Sequence, residues 1–167
     1  MEQYVLILSD KSQMLLLGLT LAKVYYGVGY IVYLNGDVGV GKSTLCAGFL
    51  RALGYAGYVN SPTYTLIEFY FLSNRYIYHV DFYRLHSDLD VINTGIQDYF
   101  DKQSTLLIEW PKREMSILPA PDVIISINYY CNLKQYRQVI IQSGSDLGQK
   151  IIDTMLRIGR FTYEIKI

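Results

Sequence analysis

The sequence predicts an α/β domain, a three-layer sandwich in which helices cover both faces of a mostly parallel central sheet. Three observations carry this prediction. Strand-like apolar runs alternate with helical stretches along the chain. The run Tyr30 to Leu34, "YIVYL", is β-branched and aromatic, as a strand buried in a parallel sheet should be. It leads into "GDVGVGKST" at residues 36–44; Leu45, Phe49, Leu50 and Leu53 then recur at helical spacing, and Gly54 stands where a C-terminal cap belongs.

The elements follow in order. Tyr4 to Leu8, "YVLIL", reads as a first strand, and Asp10 with Gln13 resembles a capping box for a helix from about Lys11 to about Tyr25. From Met14 to Leu34 the only charge is Lys23, so the stretch has the length of a membrane span. Gly27, Val28 and Gly29 interrupt it and Lys23 would sit near mid-bilayer, so it reads instead as a buried helix, a turn and a strand. Ser61-Pro62-Thr63 opens a turn before an alternating strand from about Thr65. "YIYHVDFY", Tyr76 to Tyr83, is the next strand, and a period of two puts His79, Asp81 and Tyr83 on one face. Asp88 to Phe100 reads as a helix weakened by Gly95, and "TLLIEW", Thr105 to Trp110, as an apolar strand ending in an acid and stopped by Pro111. "DVIISI" and "YRQVIIQ" read as a hairpin turning through the Asn132 region, and Asp146 to Leu156 as a closing helix. The whole, residues 1–167, is one domain, with 157–167 as a C-terminal extension that is either a late strand or a loose end.

Composition narrows the function classes. With 167 residues, 51% apolar and 18% charged, the chain has the material for one compact core. Fifteen basic and fifteen acidic residues cancel, so no electrostatic footprint points to a direct grip on nucleic acid, and any role near RNA is indirect. Cys46 and Cys131 form no C-x-x-C and His79 and His86 no H-E-x-x-H, so neither a structural metal nor a disulfide is expected, and Cys46 reads as a small core residue. Glu2 and Asp10 replace the basic leader of a signal peptide, which makes cytoplasmic residence, away from membranes, the default expectation.

Gly36 to Ser43 fits G-x-x-x-x-G-K-[ST], the P-loop pattern, and its strand and helix flanks make the fold class that of a P-loop NTPase. Glycines let the chain wrap an anion so that backbone N–H groups point at phosphate oxygens. The expected nucleotide contacts are therefore Gly36, Asp37, Val38, Gly39, Val40, Gly41, Lys42, Ser43 and Thr44, with Lys42 reaching the β- and γ-phosphates and Ser43 offering a hydroxyl to Mg²⁺. A magnesium nucleotide also needs a carboxylate near the ion and a group that positions the attacking water or hydroxyl. Glu109 and Asp81, both on strands, are the candidates, and their division of labour stays open at this point. Thr63 lies where a γ-phosphate-sensing switch would be placed.

"GDVGVGKSTL", "SPTYTLIE", "YHVDFYRL", "GIQDYF" and "LLIEWP", in this order, closely resemble the TsaE (YjeE) family, the small bacterial ATPases of tRNA threonylcarbamoyladenosine biosynthesis, over about residues 9–156. The resemblance implies a weak ATPase with ATP and Mg²⁺ as ligands. In the family this hydrolysis supports the TsaD and TsaB proteins, which modify adenosine 37 of tRNA, so tRNA is a partner only through that complex. Position by position, Asp81 takes the essential aspartate of the H-x-D motif and Glu109 the Walker B acid. Ser43 takes the Walker A hydroxyl, usually threonine, Thr63 the Ser-Pro-Thr switch threonine, and Trp110 the neighbouring indole. The implied catalytic residues are Asp81 and Glu109, and the implied magnesium ligands Ser43 and Glu109. Met14 departs from a family threonine near the adenine, and no base-recognition residue is assigned.

Two rival functions share the phosphate loop. A small-molecule kinase would bring several arginines to the transferred phosphate, whereas the arginines here are dispersed. A non-catalytic ATP-sensing module would use nucleotide binding to set a conformation that a partner reads. A GTPase is excluded, because D-x-x-G and N-K-x-D are both missing from the sequence. Trp110 and Tyr83 are the expected exposed aromatics for docking a partner.

Overall fold

A computed structural model describes residues 2–101, 103–111, 116–131 and 133–166. Among them, eight strands form one sheet. They are β1 (Gln3–Leu8), β2 (Ile31–Asn35), β3 (Ile67–Leu72), β4 (Arg75–Asp81), β5 (Ser104–Glu109), β6 (Val123–Tyr130), β7 (Leu133–Ser143) and β8 (Tyr163–Lys166). Their order across the sheet is β3-β4-β5-β2-β6-β7-β1-β8. The central four, β4, β5, β2 and β6, are parallel neighbours. β1 is antiparallel to β7, which is antiparallel to β6, so β1 points with the centre and five of the eight strands share one direction. β3, β7 and β8 run the other way.

Side-chain alternation sorts the core into two layers. From β5, Leu107 joins Val32, Leu34 and Ile125 under Leu17 and Leu21 of α1 (Lys11–Lys23), Leu45 and Phe49 of α2 (Lys42–Ala52), and Ile152 and Met155 of α4 (Asp146–Gly159). Leu106 and Ile108 point to the opposite face, where they pack with Val80, Phe82, and Val91 of α3 (Asp88–Asn93). Helices thus cover both faces. Each fully buried Leu or Ile contributes about 1.5–3 kcal/mol of transfer free energy, so these two layers fix the register that carries strand-end residues to one rim.

The helix ends follow their sequence signals. Asp10 accepts from the Gln13 N–H at 3.0 Å, while the Gln13 side chain accepts from the Ser9 N–H at 2.7 Å, one residue before the cap. After α2, Gly54 adopts φ +96°; its N–H bonds Arg51 O at 3.0 Å and the Tyr55 N–H bonds Leu50 O at 3.1 Å, the paired closure of a Schellman motif. α1 and α2 cross very closely: a Cβ at Gly18 would collide with the Leu45 carbonyl, and one at Gly48 with that of Leu15.

Several expected boundaries are corrected. The helix read from Asp88 to Phe100 is α3 followed by a 3₁₀ turn at Ile96–Tyr99, because Gly95 takes the left-handed conformation at φ +68°. β4 ends at Asp81 and not at Tyr83, since the Asp81 carboxylate takes the Tyr83 N–H at 2.8 Å and turns the chain. The strand expected from Thr65 starts at Ile67, after Leu66 at φ +65°. β6 and β7 pair antiparallel as the expected hairpin, and the Asn132 turn lies outside the described residues. The tail is a strand: β8 pairs with β1, Glu164 opposite Val5.

Candidate functional site

Register alone assembles the site. Leu34 at the end of β2 is the partner of Glu109, and Glu109 of Asp81, so the loop after β2 and both acids share the carboxyl rim of the parallel strands. Alternation decides the face: Glu109 points with Leu107, and Asp81 and His79 with Ile77, toward the layer under α2.

The loop from Gly36 to Gly41 is built on three positive φ angles, +138° at Gly36, +81° at Gly39 and +118° at Gly41, conformations that favour glycine. A side chain at Gly36 would in addition strike the Ile127 carbonyl. The loop runs into the N-terminus of α2, where the Leu45 N–H bonds Gly41 O at 3.0 Å. The N–H groups of the preceding turn have no intrahelical acceptor, and with the helix dipole they make an anion-binding end.

Lys42 is folded back over this loop. Its Nζ donates to the carbonyls of Gly36 at 2.7 Å and Asp37 at 2.9 Å, and lies 4.2 Å from the centroid of the Trp110 ring. Burial lowers the ammonium pKa, and the charges of Glu109, Asp81 and Asp37 act against that shift. The amine is thus held by two loop carbonyls beside the anion-binding end.

The two acids take different partners. Glu109, 2% exposed, accepts at Oε1 from the Ser43 hydroxyl at 2.9 Å and lies 2.8 Å from His79 Nε2 at the same oxygen. Asp81, also 2% exposed, has the hydroxyls of Ser61 and Thr63 at 2.7 and 2.8 Å from Oδ2, and takes the Tyr83 N–H at Oδ1. One acid is therefore tied to the phosphate loop and the other to the 61–63 turn.

Of the residues expected at a nucleotide, Val38, Gly39, Gly41, Lys42, Ser43, Thr44 and Thr63 line a cleft of about 500 Å³, together with Asp81 and Glu109. Gly36, Asp37 and Val40 do not line it. Val40 buries its side chain beneath the loop and its carbonyl accepts from Arg137 Nε at 2.8 Å, so these positions shape the loop. Ser61, Tyr64 and Arg84, none of which the sequence assigns to the nucleotide, also line the cleft, the Arg84 guanidinium lying 4.3 Å from the Tyr64 ring centroid. Ser61 carried a signal, a hydroxyl two residues before the switch threonine. Of the two aromatics expected at the surface, Tyr83 is exposed; Trp110 is half-buried with φ +58°, its ring 5.0 Å from that of Tyr83. Among the described residues, no helix is long and apolar enough to cross a membrane.

Comparisons with known proteins agree with this architecture. In fold, the chain is similar to a crystal structure of Bacillus subtilis YdiB, with TM-score 0.75 and 24% identity over 93% of this chain and 95% of that one. In sequence, it is 39% identical over 156 residues, 91% of this chain and 97% of the relative, to the tRNA threonylcarbamoyladenosine biosynthesis protein TsaE of Haemophilus influenzae. The protein of that name from a Nostoc species is 32% identical over 126 residues, 73% of this chain and 76% of the relative. The family model for threonylcarbamoyl adenosine biosynthesis protein TsaE matches residues 8–139. The chain belongs to the TsaE family.

Proposed function

We propose that this protein binds ATP with Mg²⁺ in the cleft at Gly36–Thr44 and hydrolyses it slowly, in support of tRNA N6-threonylcarbamoyladenosine formation by TsaD and TsaB in the cytoplasm. The observation that carries the reading is the Ser43–Glu109 hydrogen bond, which joins the phosphate loop to a buried acid at the rim. A hydroxyl and a carboxylate are hard oxygen donors of the kind Mg²⁺ takes, so Ser43 and Glu109 fit as its holders. When bound, the ion would neutralise charge on the phosphate oxygens.

The rest falls to the chain's own groups. Backbone N–H groups at the start of α2 bind the phosphates, and Lys42 exchanges its two loop carbonyls for phosphate oxygens. His79 holds the Glu109 carboxylate in place through Nε2. Asp81, beside Glu109 on the neighbouring strand and bonded to the 61–63 turn, is assigned to orienting the attacking water, with Thr63 following the terminal phosphate. In the free protein these hydroxyls rest on Asp81, so the water-positioning group is occupied, in keeping with slow turnover until a partner rearranges the turn.

Reconstitution tests the reading. With TsaD, TsaB, tRNA and the reagents of threonylcarbamoylation, repeated turnover should need this chain and consume ATP in proportion, and Glu109→Ala should abolish both effects. Turnover independent of the chain would refute the role. ATP-dependent phosphorylation of an added small molecule, without TsaD and TsaB, would favour the kinase.

A further inference from the structure

Behind the cleft floor lies a cluster that the nucleotide reading does not use as a unit. Cys46 is three residues beyond Ser43 on α2, His79 lies on β4, and Glu109 ends β5. One ligand atom from each, sulfur, ring nitrogen and carboxylate oxygen, lies within 4.8 Å of the others, and all three residues are buried. A second feature sets this cluster apart from ordinary packing: His79 Nδ1 is buried with no hydrogen-bond partner. Among the described residues the imidazole is therefore tethered through Nε2 to Glu109 alone, so exchanging that one bond for an ion disturbs no other hydrogen bond of its ring nitrogens.

We propose that Cys46, His79 and Glu109 form a binding site for a thiophilic divalent cation of the zinc class, directly behind the hydroxyl and carboxylate assigned to magnesium. Donor chemistry makes the distinction, since a thiolate and an imidazole suit zinc and are poor ligands for magnesium. Ligand atoms around a tetrahedral zinc stand ~3.4–3.6 Å apart, and a cluster held within 4.8 Å is close to that spacing. On binding, the Cys46 thiol releases its proton to solvent, and the His79–Glu109 hydrogen bond is exchanged for two bonds to the ion. Thiolate and carboxylate then balance the two positive charges, which leaves the buried site neutral. Ser43, whose hydroxyl touches Glu109 Oε1 at 2.9 Å, lines the cleft from which the ion and a fourth ligand, a water, would enter. Glu109 would then set a second dication beside the first, and their repulsion makes occupation of this site oppose magnesium-nucleotide binding; this consequence rests on the nucleotide reading, while the site itself does not.

Cobalt(II) is the probe. Titrated into the reduced, nucleotide-free protein, one equivalent should raise a thiolate-to-cobalt charge-transfer band in the near ultraviolet with tetrahedral visible bands, and zinc should bleach both. Cys46→Ser and Cys46→Ala should abolish the charge-transfer band and weaken binding by more than the about tenfold that even outer-shell changes cost. Cys131→Ser, at the exposed cysteine, should leave the band intact. A band that survives in folded Cys46→Ser protein, or that vanishes in Cys131→Ser, would overturn the site, as would the absence of any band from the native chain. Magnesium ADP should displace the cobalt; a band unmoved by nucleotide that calorimetry shows to be bound would overturn the competition. Failure of nucleotide to bind the metal-free protein counts against the nucleotide reading instead, because the Cys46 variants decide the cation site alone.

Discussion

Ser43 and Glu109 lie 66 residues apart in sequence and meet through a 2.9 Å hydrogen bond from the Ser43 hydroxyl to Oε1. The parallel pairing of β2 with β5 brings them together, and the bond joins the phosphate loop to the rim of the sheet.

Glu109→Gln keeps the shape of the side chain and removes its charge. Phosphate release from ATP, measured with the partner complex present, should fall by about 100-fold or more if Glu109 holds the ion as proposed, because a bound metal ion supplies several kcal/mol of charge stabilisation in the transition state. Unaltered release would remove Glu109 from the chemistry.

Asp81→Asn places an amide where Ser61, Thr63 and the Tyr83 N–H all donate. The half-buried Ser61 and Thr63 hydroxyls then lose a charged acceptor, whose hydrogen bonds are worth about 1.5–3 kcal/mol each, and must turn to accept from the amide. Hydrogen exchange should show faster opening of the 61–66 segment, and phosphate release should fall with it. Protection equal to that of the native chain would mean that the acid does not hold this turn.

Lys42→Ala removes a side chain whose hydrogen bonds, among the described residues, run to its own loop, so the fold should survive. Calorimetric affinity for magnesium ATP should drop by at least about tenfold, the loss of one charge-assisted contact of ~1.5–3 kcal/mol.

Gly48→Ala drives a methyl group into the Leu15 carbonyl where α1 and α2 cross. Overpacking of this kind costs about 1–3 kcal/mol, and at this chain length each kcal/mol lowers Tm by ~2–4 °C. Thermal denaturation measures it directly.

Asp10 caps α1, and the hydrogen bond from the Gln13 N–H holds its carboxyl below the ordinary value of 3.8. A depressed folded pKa gives stability that is present in full above the unfolded value and is lost as pH falls through the folded one. The Tm difference between the native chain and Asp10→Ala should therefore be constant near neutrality and close in acid below 3.8. A pH-independent gap would place the cap's effect elsewhere.

The sequence made the strand-loop-helix unit legible because each part has its own local signal: β-branching in β2, glycine spacing in the loop, and apolar recurrence with Gly54 at the end of α2. The acids were legible as strand-end carboxylates. Their separate partners were not, since the bonds of Asp81 to Ser61 and Thr63 form across a turn whose path depends on β3 pairing with β4. β8 escaped a firm assignment because its four residues are all exposed and take their order from β1. Gly95 signalled a weakened helix, yet only its left-handed φ shows that the helix stops there. The convergence of Cys46 on His79 and Glu109 had no local signal, being fixed by how α2 sits on β4 and β5.

The most direct test is a crystal structure with Mg²⁺ and a non-hydrolysable ATP analogue. Lys42 Nζ should leave the carbonyls of Gly36 and Asp37 for the phosphates, and Mg²⁺ should stand between Ser43 Oγ and the Glu109 carboxylate with their direct hydrogen bond broken. Phosphates bound away from the loop at residues 36–44, or a Ser43–Glu109 bond intact beside a bound nucleotide, would contradict the account.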